Sequence, residues 1–244
     1  MALQSRAIPV LITRPQPQAS RFAQVLRDRF GDAVDPVLTP LLQPVFLDQP
    51  SPIPTAKALI LTSETGAQAA ARQRQAGAVL PDLAYCVGDR TAKVAQGLGF
   101  SVVSADGDAE ALLQLLLSCQ KDAPFLHLRG QDSRGDLVRR LQDRSVQASD
   151  RITYAQRPAH ISPKAKAILA EPGLVAVPLF SPRTAEIWCS ELAKTACMAT
   201  LLPFALSQAV ADSVQADLTA NVLIAEKPTQ DAIVHKMSQA LFGA

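Results

Sequence analysis

Aromatic residues, net charge and long apolar runs are all scarce in this sequence of 244 residues. Phe, Trp and Tyr make up 5% of the chain, whereas hydrophobic residues of all types make up 48%. Such a chain builds its cores from Leu, Val, Ile and Ala, as expected where strands are buried between helices. No apolar run approaches the ~18 residues of a membrane span, and the N-terminal stretch lacks the apolar region of a signal peptide. The sequence therefore predicts a cytoplasmic protein with no membrane span.

The small charge and the spacing of the cysteines exclude further classes. The formal net charge is +2, and no run of Lys and Arg is interleaved with aromatics, so we expect no nucleic-acid partner. The four cysteines show no Cys-x-x-Cys spacing and the three histidines lie far apart, which argues against a metal site and against a disulfide framework. Neither a Gly-rich dinucleotide loop nor a Walker pattern occurs.

Short apolar runs, each followed by a capping residue and a helical pattern, recur along the chain. Ala58–Leu61 precedes Thr62 and Ser63, and Leu174–Phe180 precedes Ser181. This alternation predicts an α/β fold with parallel sheets flanked by helices. The other predicted strands are Val10–Ile12, Leu83–Val87, Phe100–Val103, Phe125–Leu128, Leu201–Leu206 and Asn221–Ala225.

Two parts of the chain can be interpreted as copies of one pattern. The step from Ser63 to Gly88 equals the step from Ser181 to Ser207 to within one residue, and the following step to the next strand agrees equally well. A chance alignment would not usually preserve both steps. We therefore predict two similar small lobes.

The boundaries of the lobes follow from the repeat. The second copy lacks a fourth strand-and-helix unit, and the N-terminal region supplies an isolated one, so the first lobe is predicted to be discontinuous. It comprises residues 1–36 plus 159–244, and the other lobe comprises 46–149. Two extended segments punctuated by Pro, 37–45 and 150–158, are predicted to run side by side as paired linker segments, forming a two-stranded β linker between the lobes.

Polar residues at the ends of the predicted strands indicate an anion site. The carboxyl ends of parallel strands and the N-termini of the following helices form the ligand-binding edge of such sheets, where backbone N–H groups favour anions. Arg14 and Arg129 directly follow strands and are the favoured cationic ligands. If both lobes turn these edges inward, the cleft suits a polyanion of moderate size.

An ordered set of short motifs resembles the uroporphyrinogen-III synthase family. The motifs are Ile12-Thr13-Arg14-Pro15, Leu61-Thr62-Ser63, Val87–Ala92 with Gly97–Phe100, Leu128-Arg129-Gly130, Tyr154, Phe180-Ser181-Pro182 and Lys227-Pro228-Thr229. No single motif is specific, but the resemblance covers essentially the whole chain in order. It implies two α/β lobes joined by a two-stranded ladder, in agreement with the repeat.

The resemblance also implies an activity. Members of this family are cofactor-free lyases that take the linear hydroxymethylbilane, remove its hydroxyl as water, invert ring D and close the macrocycle to uroporphyrinogen III. This reaction leads to heme, siroheme, cobalamin and chlorophyll. The implied partners are the tetrapyrrole substrate and, transiently, hydroxymethylbilane synthase, and the expected state is a monomer with neither cofactor nor metal.

The roles of individual residues are carried over by position. Tyr154 is the candidate catalytic acid, because a phenol has a reference pKa of about 10 and can donate to the departing hydroxyl at neutral pH. Conformational control of ring inversion should matter at least as much as acid catalysis. The expected substrate-binding residues are Arg14, Thr62, Ser63, Thr91, Arg129, Ser181, Ser207 and Thr229.

Several departures and alternatives stand beside this interpretation. Thr65 occupies a position where the family often has Asn, Ser207 stands where glycine is frequent, and Val210 cannot copy the hydroxyl of Thr91. Each Ser or Thr after a strand could be an ordinary N-cap, and a strand Tyr often only packs its ring. The competing functions are a two-lobed anion-binding protein without catalysis and a nucleotide-dependent transferase, although the latter should carry a phosphate loop.

Overall fold

The computed structural model describes residues 7–47, 53–132, 135–215 and 221–243. The chain divides into two compact units, one made of Met1–Gln43 with Pro158–Ala244 and the other of Pro44–Arg157. We call them the discontinuous unit and the continuous unit. Both are α/β with helices flanking a sheet, so the predicted fold class is confirmed.

The elements alternate between strand and helix along most of the chain. In order they are β1 Ile8–Ile12, α1 Gln18–Phe30, β2 Val34–Leu38, β3 Leu42–Phe46, β4 Ala58–Leu61, α2 Glu64–Gln75, β5 Leu83–Cys86, α3 Asp89–Gly97, β6 Ser101–Ser104, α4 Ala109–Ser118, β7 Phe125–Gly130, α5 Leu137–Gln142, β8 Ala148–Pro158, α6 Pro163–Leu169, β9 Leu174–Leu179, α7 Pro182–Leu192, β10 Thr200–Ala205, α8 Gln208–Ala211, β11 Leu223–Ile224 and α9 Gln230–Phe242.

The discontinuous unit contains a five-stranded sheet in the order β11-β10-β9-β1-β2. Its neighbouring strands are parallel. Side chains alternate across each strand, so the sheet buries apolar residues on both faces. Leu11 and Val177 pack with Trp188 of α7 on one face, while Val10 and Phe204 pack with Phe22 of α1 on the other. No helix among the described residues is long and apolar enough to cross a membrane.

The continuous unit contains a six-stranded sheet in the order β3-β8-β7-β4-β5-β6. The pairs from β8 to β6 are parallel. β3 runs antiparallel to β8, since Leu47 N–H donates to the carbonyl of Thr153 while Ala159 N–H donates to that of Leu41. The helices α2 and α3 cover one face and α4 and α5 the other.

The internal repeat is visible in the backbone at the helix starts. Ser63 before α2 has φ −157° and ψ 155°, and Ser181 before α7 has φ −153° and ψ 150°. Gly88 before α3 has φ −161° and ψ 169°, and Ser207 before α8 has φ −159° and ψ 169°. Matched residues of the two copies therefore leave their strands and enter their helices along the same path.

One strand departs from the sequence interpretation. The prediction passes from the first helix directly into a Pro-rich connector, whereas Val34–Leu38 forms β2 and pairs in parallel with β1. Pro36 lies inside this strand and lacks the N–H of a ladder donor. β2 is the last strand of its sheet, and an edge strand tolerates Pro. The predicted linker 37–45 thus begins inside β2.

Candidate functional site

The carboxyl edge of the six-stranded sheet carries four of the predicted site residues around one cavity. The cavity has a volume of about 880 Å³ and lies against β7, β8, α4 and α5. Thr62 and Ser63 reach it from the end of β4, Arg129 from β7 and Tyr154 from β8. All of these residues belong to the continuous unit.

Tyr154 is placed by an irregularity in the sheet. Between Arg129 and Gly130 the register of β7 against β8 shifts, so that Arg129 pairs with Ile152 and Gly130 with Tyr154. A bulge of this kind turns a side chain away from its regular direction. The Tyr154 ring covers Gly130 so closely that a Cβ on that glycine would lie 2.8 Å from ring atoms Cε2 and Cζ.

Ser63 connects the Tyr154 hydroxyl to the start of α2. Its Oγ lies 2.8 Å from Tyr154 Oη, in a hydrogen bond that either hydroxyl can donate. The same Oγ accepts a hydrogen bond of 3.0 Å from the N–H of Gly66, which caps the helix. Ser63 is therefore an N-cap, and it also contacts the candidate acid.

His127 is a buried residue that lines the cavity, and its imidazole is neutral at neutral pH. Burial lowers the pKa of its imidazole to about 4, with a further contribution from the positive charge of Arg129 that the carboxylate of Asp150 partly offsets. Its Nε2 lies 3.1 Å from Thr62 Oγ1. A neutral imidazole has one nitrogen that donates and one that accepts, so His127 can hold the Thr62 hydroxyl without adding charge to the cavity.

Arg129 is paired with a carboxylate at the cavity rim. Its Nε forms an ion pair with Asp150, and its guanidinium also donates to the carbonyl of Gly130 at 3.2 Å. The side chains of Arg129 and Asp150 are 25% and 36% exposed, so both are accessible from the cavity. A guanidinium carries a positive charge and N–H donors whose geometry suits carboxylates.

The structure does not bring Thr91 to this cavity. It is the third residue of α3, it is buried with 6% of its surface exposed, and it is absent from the cavity lining. Its assignment to substrate binding stays a prediction.

The remaining predicted residues lie at the carboxyl edge of the five-stranded sheet. Ser181 caps α7 by accepting from Thr184 N–H at 3.2 Å, and Thr229 caps α9 by accepting from Ala232 N–H at 3.2 Å. Ser207 precedes α8, and its side chain makes no cap hydrogen bond. Ser181 follows β9, Ser207 follows β10 and Thr229 follows β11. As in the continuous unit, hydroxyl groups therefore lie at the carboxyl ends of the strands.

Arg14 contacts residues at the starts of two helices of this second edge. Its guanidinium lies 4.1 Å from the centroid of the Phe180 ring, and its Nη1 donates to the side chain of Gln230 at 2.9 Å. Phe180 precedes Ser181, and Gln230 follows Thr229. The cation is thus held between the starts of α7 and α9, where the helix N-termini also favour anions.

The sequence predicts no individual role for three residues that line this cavity. His127 follows the ordinary alternation of a buried strand, Asp150 precedes the Tyr154 motif without a motif of its own, and the importance of Gly130 depends on a bulge. The contact of Gly130 with Tyr154 depends on the pairing of β7 with β8, which the sequence analysis does not predict. In the part of the chain that the structure describes, no three His, Cys, Asp or Glu side chains are grouped as metal ligands are.

A family model and solved structures are similar to this chain. A family model described as Uroporphyrinogen-III synthase HemD matches residues 20–235. The crystal structure of uroporphyrinogen-III synthetase from Helicobacter pylori aligns with a TM-score of 0.60 and 14% identity, over 96% of this chain and 99% of that chain. A mutant uroporphyrinogen III synthase from Thermus thermophilus aligns with a TM-score of 0.46 and 14% identity, over 98% of this chain and 100% of that chain. No match was found among curated proteins.

Proposed function

The chain belongs to the uroporphyrinogen-III synthase family, and on that premise we propose that it converts hydroxymethylbilane to uroporphyrinogen III with Tyr154 as the catalytic acid. The family is one of enzymes of porphyrin biosynthesis. Within it, we assign this chain to the lyases, because the reaction eliminates water from its substrate.

The observation that carries the role of Tyr154 is its placement. The hydroxyl reaches an 880 Å³ cavity and is fixed by Ser63 at 2.8 Å. In the proposed first step, the Tyr154 proton moves to the hydroxyl oxygen of the substrate. The C–O bond breaks with its electron pair on oxygen, water leaves, and an azafulvene cation remains. General acids of this kind contribute about 10²–10⁴-fold to rate.

The two carboxyl edges are proposed to hold the acidic side chains of the substrate. Arg129 and Thr62 act in the continuous unit, and Arg14, Ser181 and Thr229 act in the discontinuous unit. Charge-assisted hydrogen bonds from guanidinium and helix N–H groups to carboxylates are stronger than neutral ones. The proposal extends to Ser63, Thr91 and Ser207 as predicted by position.

The expected setting of the enzyme follows from the family. We propose a monomer in the cytoplasm that meets hydroxymethylbilane synthase transiently, because the linear substrate is unstable and closes unaided without ring inversion. The two segments 37–45 and 150–158 are proposed as the linker between the lobes of residues 1–36 plus 159–244 and 46–149.

Isomer analysis tests the proposed function. Hydroxymethylbilane generated in place by its synthase is incubated with the protein, and the products are oxidised to porphyrins and separated by chromatography. We expect the type III isomer. Formation of type I alone would remove the catalytic proposal and leave an anion-binding protein.

A further inference from the structure

We propose that Ser63 is a positioning residue for Tyr154 and that its hydroxyl donates to Tyr154 Oη during the loss of water. This inference rests on the proposed function. It changes the role that position alone suggests for Ser63, from a ligand of the substrate to a partner of the acid.

The hydrogen bonds already formed by Ser63 determine what its hydroxyl can do. A serine hydroxyl has one proton and two acceptor sites. The Gly66 N–H can only donate, so it occupies one acceptor site at 3.0 Å. The Ser63 proton is then available to Tyr154 Oη at 2.8 Å. When Ser63 donates, the Tyr154 proton is free to reach the substrate.

The proton transfer requires that Ser63, and not Tyr154, donates the hydrogen bond between the two hydroxyls. As Tyr154 gives its proton to the departing hydroxyl, the C–O bond breaks and water leaves. The tyrosine oxygen becomes a phenolate, which only accepts, and Ser63 donates to it while keeping its own proton. The substrate releases one proton when the macrocycle closes, and that proton restores Tyr154. The step therefore needs no further reactant.

A comparison of the two copies of the repeat supports the assignment. In the discontinuous unit, the matched Ser181 also accepts from the N–H three residues on, but its hydroxyl pairs with the Thr184 hydroxyl at 2.8 Å. In the continuous unit, the residue three positions on is Gly66, which has no side chain. The Ser63 hydroxyl is left without that local partner, and it pairs with Tyr154 instead.

Close packing fixes this arrangement. A Cβ at Gly66 would lie 3.0 Å from the carbonyl oxygen of Leu128 and 3.3 Å from Ser63 Oγ. The start of α2 therefore packs closely against β7, and this packing limits the movement of Ser63 relative to Tyr154. Pre-organised donors of this kind act without rearrangement when charge develops.

Steady-state kinetics on hydroxymethylbilane test the role of Ser63. We expect Ser63→Ala to lower kcat by about 10- to 100-fold, the range for a lost hydrogen bond to a charged group, with KM within about twofold. Ser63→Thr keeps a hydroxyl and should restore most of kcat. In a Tyr154→Phe background, Ser63→Ala should have almost no further effect, because the two residues act as one unit.

Two further variants separate this role from helix capping. Ser63→Gly removes the hydroxyl at a position where glycine is well tolerated, so it should lower kcat as Ser63→Ala does, even if the alanine variant folds poorly. Ser162→Ala removes a serine cap from α6, a helix that does not line this cavity, and it should leave kcat unchanged.

The inference is overturned if Ser63→Gly raises KM with kcat unchanged, because Ser63 would then be a substrate ligand. It is also overturned if the loss of kcat is equal in the Tyr154→Phe background. These outcomes differ from a failure of the proposed function, which would appear as type I product from the unaltered protein.

Discussion

Tyr154 has a hydroxyl held by Ser63 and a ring that covers Gly130. We predict that Tyr154→Phe, which retains the ring, lowers kcat by about 100-fold because the proton donor is lost. Binding of the product should change by less than about twofold, since the phenol acts mainly in the transition state. Turnover assays and product titration by fluorescence measure the two quantities. An unaltered kcat would remove Tyr154 from the mechanism.

The sequence predicts Tyr154 and Ser63 as site residues, but it does not predict the contact between them. Both residues are found by motif order and by position after a strand. Their hydrogen bond depends on the bulge at Gly130 and on the side-chain-free Gly66, which are features of three-dimensional packing. The role of His127 is not predictable from the sequence, because a buried histidine in a strand has no distinctive pattern.

Gly130 offers a second test at the scale of one residue. The methyl group of Gly130→Ala would lie 2.8 Å from the Tyr154 ring and would displace it. We expect kcat to fall about tenfold or more and the free energy of unfolding to drop by about 1–3 kcal/mol. Gly97→Ala is the matched control, since a Cβ there meets nothing within 4 Å. Equal effects of the two substitutions would contradict the account.

His127 makes stability depend on pH. Its pKa is about 4 in the folded protein, below its ordinary value of 6.5. Because the unfolded chain binds the proton more readily, stability is lost as pH falls from about 6.5 to about 4, by roughly 3 kcal/mol. His127→Gln should lack this component, so the stability of the unaltered protein relative to the variant should fall as pH is lowered from about 6.5 to about 4. Parallel curves would show that His127 is not held neutral.

Elements were predictable where a local pattern determines them. The strand Ala58–Leu61 was expected with the bounds that the structure gives to β4, because a continuous apolar run followed by a capping hydroxyl indicates a buried strand and a helix start. β2 was missed because Pro36 resembles a connector residue, and only its place at the sheet edge allows it. The two-residue β11 is shorter than the run Asn221–Ala225 that predicts it.

Substitution of Arg14 tests whether the edge formed by β1, α7 and α9 binds substrate. Arg14→Met removes the cation and keeps an unbranched apolar chain against Phe180. We expect KM to rise about three- to tenfold with kcat within about twofold, as for a contact equally strong in the ground and transition states. Arg27→Met removes the same charge from the exposed face of α1 in the same unit, and it should leave both constants unchanged. A fall in kcat alone would exclude a binding role for Arg14.

At the scale of the whole molecule, the chain repeats one α/β pattern in two units, one of them discontinuous. The fold class was predictable because the repeat preserves the spacing of its helix starts, and Ser63 and Ser181 both have the extended backbone of an N-cap. The family model matches residues in both units. At the carboxyl ends of its strands each unit has hydroxyl groups and an arginine, and we propose that these groups bind carboxylates of the substrate.

The most direct test of the proposed function measures the ratio of the type III to the type I isomer. The amount of protein is raised while the supply of hydroxymethylbilane is held constant. Unaided closure gives type I, so the two routes compete for one substrate. The account predicts that the type III fraction rises with protein concentration until type I disappears. A product that stays type I at every protein concentration would contradict it.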